Sequence, residues 1–263
     1  MIDEVCHDSF RQPVVVDYYA KQAGLIYGEE TLFAELASKI CGARVLDIGI
    51  GCGRTTPYLL HLKPESYVGV DYVSEMVEKA KINYPGVDFR VADARKMNEF
   101  KNEEFDVALF SWNGIDYVDH TGRLAILAEV KRILSPGGRF AFSTGNGRKH
   151  PPKPWSLEAL RNMEIRMTPR GIIYAAKEFI LSCRNYWQRA GGQIFGKDYV
   201  IRLDPAHGFR LLRYFISPEN QQAQLQTEGF QNIRLIDRFG NFKDINDPAI
   251  DTATVYYLCE KPE

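Results

Sequence analysis

A strand that ends in a glycine-rich turn is the feature that most limits how this chain can fold. Residues 44–48 form a short run rich in aliphatic and β-branched side chains, and Gly49, Gly51 and Gly53 follow it directly. Glycines are favoured there because they permit positive φ in a tight turn, and because the missing Cβ lets a ligand lie against the backbone. The pattern predicts a strand, a turn and a helix arranged around a bound molecule.

The spacing of the glycines narrows the class of ligand. A dinucleotide fingerprint, GxGxxG, would need its third glycine at position 54, where this chain has Arg54, and the phosphate-binding pattern GxxxxGK[ST] is absent. The observed GxGxG therefore favours an adenosine without a pyrophosphate and argues against a nicotinamide oxidoreductase. Asp71 ends the second predicted strand, 18 residues after Gly53, where an acid accepts hydrogen bonds from ribose hydroxyls and disfavours a 2′-phosphate.

Strand and helix patterns alternate through the first 145 residues. Apolar, strand-like runs are predicted at 44–48, 67–71, 87–91, 105–110 and 138–143, and later at 233–237 and 254–259. Helical patterns lie between them, as over residues 123–134, where apolar side chains recur at 3.6-residue spacing. The alternation predicts an α/β fold: a seven-stranded, mostly parallel, doubly wound sheet with its last strand antiparallel and an insertion after the fifth strand.

The pattern changes after residue 146. A proline cluster at 151–154 interrupts it, because proline cannot continue a helix and restricts the residue before it. A helix is predicted over 172–189, with its apolar residues on one stripe. Two short apolar runs at 199–203 and 211–216 are expected to form an antiparallel pair, and Ser217 before a proline is typical of a helix start.

Five motifs in the expected order make the chain resemble the class I S-adenosylmethionine (SAM) dependent methyltransferases of the small-molecule type. They are residues 47–53 (Asp-Ile-Gly-Ile-Gly-Cys-Gly), 69–76 (Gly-Val-Asp-Tyr-Val-Ser-Glu-Met), 92–94 (Ala-Asp-Ala), 105–113 (Phe-Asp-Val-Ala-Leu-Phe-Ser-Trp-Asn) and 134–140 (Leu-Ser-Pro-Gly-Gly-Arg-Phe). The resemblance implies three parts. These are an N-terminal helical cap over 1–40, a Rossmann-like SAM-binding domain over 41–147 and 214–263, and an inserted helix-and-hairpin substrate lid over 148–213.

The same resemblance implies roles for individual residues, with SAM as the cofactor and S-adenosylhomocysteine as the product. The residues expected at the methionine end of SAM are Tyr19, Asp47, Gly49, Gly51 and Gly53. The residues expected at the nucleoside are Asp71 on the ribose and Tyr72, Met76, Asp93 and Ala94 on the adenine. Ser111 and Trp112 are expected to close the floor near the sulfonium.

Composition and motifs argue against several other classes. The net charge of -1 speaks against a protein held on nucleic acid by bulk electrostatics. Residues 111–114 also lack the Asn-Pro-Pro-Tyr type of run carried by enzymes that methylate nucleic-acid amino groups. Five scattered cysteines without a CxxC pair predict no metal site and a cytoplasmic location. Neither a signal peptide nor an apolar run of membrane-spanning length is found, so no membrane partner is expected, and a homodimer is left open.

The methyl acceptor is the least constrained part of this prediction. Residues 148–213 carry 13 Lys and Arg against five Asp and Glu, a surplus of eight positive charges, interleaved with aromatic side chains. A small-molecule pocket for an anionic acceptor is expected there, and a solvated helix face is the alternative explanation. The predicted catalytic bases are His120, after the fourth strand, and His150, after the fifth, with His207 as a third candidate.

Two other functions are compatible with a SAM site. The chain could transfer or cyclise another carbon arm of SAM, which would release methylthioadenosine instead of S-adenosylhomocysteine. It could also be a non-catalytic SAM-binding partner of another subunit, which would bind the cofactor without turnover. The products formed from SAM distinguish these alternatives from methyl transfer.

Overall fold

The structure, a computed structural model, describes residues 2–149, 151–161, 167–247, 250 and 252–263. Its helices are α1 (Ile2–Phe10), α2 (Pro13–Ala20), α3 (Tyr27–Ile40), α4 (Thr56–His61), α5 (Ser74–Asn83), α6 (His120–Ile133), α7 (Leu157–Arg161), α8 (Pro169–Arg189) and α9 (Pro218–Thr227). Its strands are β1 (Arg44–Ile48), β2 (Ser66–Asp71), β3 (Asp88–Val91), β4 (Phe105–Phe110), β5 (Leu134–Asn146), β6 (Ile194–Phe195), β7 (Tyr199–Leu203), β8 (Leu212–Ile216), β9 (Gln231–Asp237), β10 (Phe242–Lys243) and β11 (Thr254–Glu260).

The main sheet has the strand order β10-β9-β11-β5-β4-β1-β2-β3. Strands β1 to β5 pair in parallel, whereas β11 runs antiparallel to both β5 and β9. This confirms the predicted α/β class, with a mostly parallel sheet whose last strand is antiparallel. The short strand β10 at the edge was not predicted.

The two faces of the sheet carry separate apolar clusters, which is why the strand sequences are apolar nearly throughout. In β1, Leu46 and Ile48 point into one cluster and Val45 into the other. In β4, Ala108 points into the first of these clusters and Val107 into the second. Helices α6 and α9 cover the first face, and α3, α4 and α5 cover the second. The carboxyl ends of the parallel strands are left open for a ligand.

The strands of the segment after β5 extend this sheet. β8 pairs in parallel with the end of β5, at Gly145 and Asn146, beyond the point where β4 stops at Phe110. β7 pairs antiparallel with β8, as predicted, and β6 adds a short outer strand. The boundary predicted between residues 213 and 214 falls inside β8. The inserted segment thus builds a wall above the carboxyl end of β4.

Helix α8 differs from the prediction in what its apolar stripe contacts. The helix starts at Pro169, where the Thr168 side chain accepts a hydrogen bond from the backbone of the first turn. Ile172, Ile180 and Trp187 of the stripe are 50%, 65% and 73% exposed, and among the described residues of α8 a single one, Ala175, is buried. The stripe exists, but much of it is exposed in the described part of the chain, although Trp187 stacks on Trp155 at 5.6 Å between ring centroids.

Candidate active site

The glycine turn after β1 has the backbone that the sequence predicts. Gly49, Gly51 and Gly53 have φ values of 65°, 55° and 87°, which non-glycine residues rarely adopt. A Cβ on Gly49 would lie 2.4 Å from the ring of Phe110, and one on Gly53 would also meet an aromatic ring. A Cβ on Gly51 would meet its nearest neighbour, Tyr19, at 3.9 Å. Gly51 is therefore the position in the turn that presents open backbone to a ligand.

Asp71 is fixed beside this turn at the end of β2. One carboxylate oxygen accepts a hydrogen bond from the Gly51 backbone N–H at 2.8 Å, and the other accepts from the Val73 backbone N–H at 2.9 Å. Burial raises the pKa of Asp71 to about 6, although both backbone hydrogen bonds favour its ionised form. The carboxylate is thus held in one orientation, and each oxygen keeps a lone pair for a ligand hydroxyl.

A cavity in two adjoining compartments, the turn cavity, runs along the glycine turn. The predicted site residues that line its first compartment are Tyr19, Gly49, Gly51, Asp71, Tyr72, Met76, Ser111 and Trp112. Those that line its second compartment are Gly49, Asp71, Tyr72, Asp93 and Ala94. Ten of the twelve residues predicted to hold the cofactor therefore surround one space. The remaining two, Asp47 and Gly53, do not line it.

Asp47 lies beneath the turn, fully buried at the end of β1. Its Oδ2 accepts hydrogen bonds from the hydroxyls of Thr55 at 2.7 Å and Tyr67 at 3.0 Å. Burial raises its pKa to about 6. Its Oδ1 has no hydrogen-bond partner among the described residues. Because Asp47 does not line the turn cavity, this oxygen is buried beneath the turn and is not presented to a ligand there.

The loop after β4 forms the wall of the turn cavity. Trp112 and Asn113 have φ values of 52° and 60°, and left-handed backbone at two successive non-glycine residues is uncommon. The Trp112 ring lies edge-on to Tyr19, at 5.5 Å between ring centroids, and under the guanidinium of Arg54 at 4.6 Å. This loop is held in a strained conformation that points the indole at the cavity.

Sequence reasoning missed the buried ion pair behind this wall. The guanidinium of Arg54 donates to both carboxylate oxygens of Glu29, at 2.6 and 2.7 Å, and the hydroxyl of Ser111 donates to the same carboxylate at 2.8 Å. Glu29 is fully buried in the first turn of α3. Arg54 stood out as the residue that breaks GxGxxG, but Glu29 carries no local signal of its role.

The N-terminal helices cover the turn cavity. Phe10 of α1 and Val16 of α2 pack in one apolar cluster with Cys52, Val73 and Met76 from the turn and α5. Phe10 also lines the cavity itself. The first two helices therefore lie against the glycine turn and cover one side of the cavity, which stays partly open.

A second, larger space, the outer cavity, lies on the far side of Trp112. Its volume is about 640 Å³, and its walls come from α2, the loop after β4, α8 and the segment that leads into β8. Small-molecule sites have volumes of this order. It shares Tyr19, Trp112 and Tyr117 with the turn cavity. The two cavities therefore meet at these three aromatic rings.

Arginines dominate the charge of the outer cavity. Arg184, Arg210 and Arg213 line it, against one acid, Glu178. The Arg213 side chain is 11% exposed and donates from Nε to Asp116 at 3.1 Å. Its Nη2 is buried and has no hydrogen-bond partner among the described residues. An anionic ligand group would supply the missing acceptor.

The partner of Arg213 is shared with a second arginine. Asp116 is fully buried, and its carboxylate also accepts from Arg123 Nη1 at 2.9 Å, from the Thr144 hydroxyl at 2.5 Å and from the Gly145 backbone at 2.8 Å. Two guanidinium groups thus rely on one carboxylate. A second negative charge acts on Arg213 from the buried carboxylate of Asp204.

The structure separates the candidate bases. His120 stacks on Tyr199 at 4.2 Å, its Nδ1 is 2.9 Å from the Tyr214 hydroxyl, and it lines neither cavity. Its position in the first turn of α6 packs it against β7 and β8 instead. His150 lies outside the described residues. His207 lines the outer cavity, with its Nδ1 3.1 Å from the carboxylate of Asp204.

None of the helices described is long and apolar enough to span a bilayer. Across the residues that the structure describes, no group of three or more His, Cys, Asp or Glu side chains is arranged to hold a metal ion.

Sequence comparison supports the sequence motifs over part of the chain. Residues 45–138 match a family model described as a methyltransferase domain. Phthiotriol/phenolphthiotriol dimycocerosates methyltransferase 1 of Mycobacterium ulcerans is 36% identical over 108 residues, which are 40% of this chain and 38% of that protein. The corresponding Mycobacterium leprae enzyme is 34% identical over 107 residues, again 40% and 38%. The match spans about two fifths of the length of these curated relatives.

Structural comparison extends over nearly the whole chain. The 1,6-didemethyltoxoflavin-N1-methyltransferase of Burkholderia thailandensis, solved with 1,6-didemethyltoxoflavin and S-adenosylhomocysteine, has a TM-score of 0.57 and 15% identity, covering 99% of this chain and 88% of that one. A SAM-dependent methyltransferase from Mesorhizobium loti has a TM-score of 0.54 and 16% identity, covering 88% and 98%. At these identities the likeness concerns the fold, and it agrees with the predicted architecture.

Proposed function

This chain contains a class I SAM-dependent methyltransferase domain with SAM as its cofactor, and from this premise we propose that it methylates a small-molecule acceptor bound in the outer cavity. S-adenosylhomocysteine is the second product. The observation that carries the proposal is the wall of Tyr19, Trp112 and Tyr117, which the turn cavity and the outer cavity share. A donor on one side of this wall and an acceptor on the other would meet there.

The turn cavity offers groups suited to each part of the cofactor. Gly51 presents open backbone and Asp71 a fixed carboxylate for the ribose hydroxyls. In the second compartment, Tyr72, Asp93 and Ala94 surround a space suited to the adenine ring. SAM supplies the electrophilic methyl group when bound. The protein's part is to orient the two reactants and to exclude water, which the N-terminal helices over the cavity favour.

We propose further that the acceptor is anionic. Three arginines line the outer cavity, and Nη2 of Arg213 is a buried donor without a partner among the described residues. A carboxylate or a phosphate could accept two parallel hydrogen bonds from such a guanidinium. The surplus of eight positive charges over residues 148–213 points in the same direction.

Methyl-labelled SAM tests both parts of this proposal. The chain is incubated with labelled SAM and a metabolite extract, and the products are fractionated on an anion-exchange resin and identified by mass. We expect S-adenosylhomocysteine together with a labelled product that the resin retains. Labelled product in the unretained fraction would contradict the proposal that the acceptor is anionic, but not the proposal of methyl transfer. Methylthioadenosine, or no turnover at all, would contradict methyl transfer.

Substitution of Arg213 refines the second part. Arg213→Gln should lower the yield of the retained product, because the side chain then loses both its charge and its fork of donors. Arg161→Gln, on α7 and outside the cavity lining, is the control. The cytoplasmic location, the lack of a nucleic-acid partner and the homodimer question stay as predictions from sequence.

A further inference from the structure

We infer that His207, held by Asp204, accepts the proton that the acceptor loses when its oxygen or nitrogen is methylated. This inference rests on the proposed function and adds a catalytic residue that the sequence motifs do not mark. The chemical class that follows is an acceptor with an O–H or N–H group whose proton must leave during methyl transfer.

Hydrogen bonding fixes the tautomer of His207. Its Nδ1 lies 3.1 Å from Oδ2 of Asp204. An ionised carboxylate only accepts hydrogen bonds, so Nδ1 carries the hydrogen and the neutral ring presents a lone pair at Nε2. Asp204 is 2% exposed, and its Oδ1 accepts from the backbone of Ala206 at 3.0 Å, so the carboxylate cannot turn away.

Asp204 is kept ionised by its surroundings. Burial opposes ionisation, but the hydrogen bond from His207 and the charge of Arg213 outweigh burial and lower the pKa of Asp204. The hydroxyl of Tyr117 donates to the same carboxylate at 2.8 Å. Burial raises the pKa of Tyr117 well above its ordinary value, so this hydroxyl stays protonated and acts as a donor. Asp204 thus stays an acceptor and Tyr117 a donor, and Nε2 of His207 is the nitrogen of this cluster that is left to receive a proton from the acceptor.

The ring of His207 stands close to the wall between the two cavities. Its centroid is 5.5 Å from that of Tyr117, which lines both cavities, and 5.5 Å from that of Phe10, which lines the turn cavity. Phe10 and Tyr117 are themselves 5.2 Å apart. His207 is therefore one aromatic ring away from the side on which the methyl donor would lie.

Other charged groups face His207 across the outer cavity. They are Glu178 and Arg184 of α8, with Arg210 and Arg213 from the segment beside His207. Four tyrosines complete the titratable groups of this lining: Tyr18, Tyr19, Tyr117 and Tyr174. The arginines favour an acceptor that develops negative charge as its proton leaves. His120 lacks this setting, because its ring is stacked away from both cavities.

The step balances without any further reactant. The proton of the acceptor O–H or N–H moves to Nε2 of His207, and the freed electron pair forms a bond to the methyl carbon. The carbon–sulfur bond of the sulfonium breaks, and its electron pair stays on sulfur. The products are the methylated acceptor, S-adenosylhomocysteine and an imidazolium, which then releases its proton to water.

The test compares His207→Ala with wild type on the extract fraction that wild type labels, at pH values from about 5.5 to 9. Loss of a general base lowers a rate by roughly 10²–10⁴-fold, so we expect a loss in that range at pH 7. Added imidazole, or a pH high enough to ionise the acceptor, should restore part of the rate. His61→Ala, which changes an exposed histidine on α4, is the matched control. SAM affinity should stay within about twofold of wild type in both variants, because neither histidine lines the turn cavity.

Three outcomes would contradict the inference. His207→Ala could keep the wild-type rate and pH profile, or it could raise KM with kcat unchanged, which would assign His207 to binding. It could also lose activity that neither imidazole nor high pH restores. Asp204→Asn should show a smaller loss of the same kind, since it frees the ring to rotate. Absence of label transfer by wild type would overturn the proposed function first, and this is how the two failures are told apart.

Discussion

The glycine turn and helix α8 show two ways in which a sequence pattern relates to structure. At the turn, three glycines and Asp71 lie where the local sequence predicts, and the backbone N–H of Gly51 donates a hydrogen bond to that carboxylate. On α8, the apolar stripe is present but largely exposed in the described residues. The inserted segment is instead tied to the sheet domain by the pairing of β8 with β5 and by two polar contacts, Arg213 to Asp116 and Asp204 to Tyr117. Those contacts, and not the stripe, shape the outer cavity.

The largest expected effect concerns the buried charges that join the two regions. Arg123→Ala removes one guanidinium from Asp116 inside the protein, and breaking a buried pair in this way costs about 3–5 kcal/mol. Arg90→Ala, which breaks an exposed pair with Asp88, should cost no more than about 1 kcal/mol. Urea unfolding measures both. Equal losses would mean that the cluster around Asp116 does not support the fold as described.

A second pair of variants compares the apolar residues of the two regions. Ile126→Ala on α6 empties a site that is 1% exposed, and we expect a loss of about 2–5 kcal/mol in the free energy of unfolding. Ile180→Ala on the stripe of α8, 65% exposed, should change it by less than about 0.5 kcal/mol. A large loss at Ile180 would indicate that the stripe is covered in solution.

The third prediction is a pH dependence of cofactor binding. Ionised Asp71 is the form that accepts hydroxyl hydrogen bonds, and its pKa in the free protein is raised to about 6 by burial. SAM affinity should therefore fall about tenfold from pH 7 to pH 5, since one pKa unit corresponds to one factor of ten. The sign for folding is opposite: a raised carboxylate pKa makes the free protein lose stability as pH rises from about 4 to 6. Asp71→Asn should bind SAM weakly, with most of this pH dependence gone, and a wild-type affinity independent of pH would contradict the assignment.

The parts of the site that sequence predicts are those with short-range signals. Helix α4 and strand β2 separate Gly51 from Asp71 along the chain, and the parallel pairing of β1 with β2 brings the two residues together. Glu29 and Phe10 come from helices whose docking depends on tertiary packing, so no local pattern marks them. Asp47 is the first residue of the glycine motif, but its carboxylate turns beneath the sheet edge toward Tyr67.

The candidate bases illustrate the same limit. Sequence position favours His120 as a base, because it follows the fourth strand, where ligands of open sheets bind. Its side chain instead stacks on Tyr199 and lies within hydrogen-bonding distance of the Tyr214 hydroxyl, and both tyrosines come from the β7–β8 hairpin. His207 lies in the link between β7 and β8, and it reaches the outer cavity because that link folds over Tyr117. Which histidine faces the acceptor thus depends on how the inserted segment packs, and the spacing of residues along the sequence does not predict that packing.

Calorimetric titration of SAM into the wild-type chain, Asp71→Ala and His207→Gln tests the central claim most directly. We expect wild type to bind SAM and Asp71→Ala to weaken binding by about 1.5–3 kcal/mol, the range for hydrogen bonds to charged groups. His207→Gln, across the shared wall, should bind SAM as wild type does. No SAM binding by wild type, or an unchanged affinity in Asp71→Ala, would contradict a cofactor site at the glycine turn.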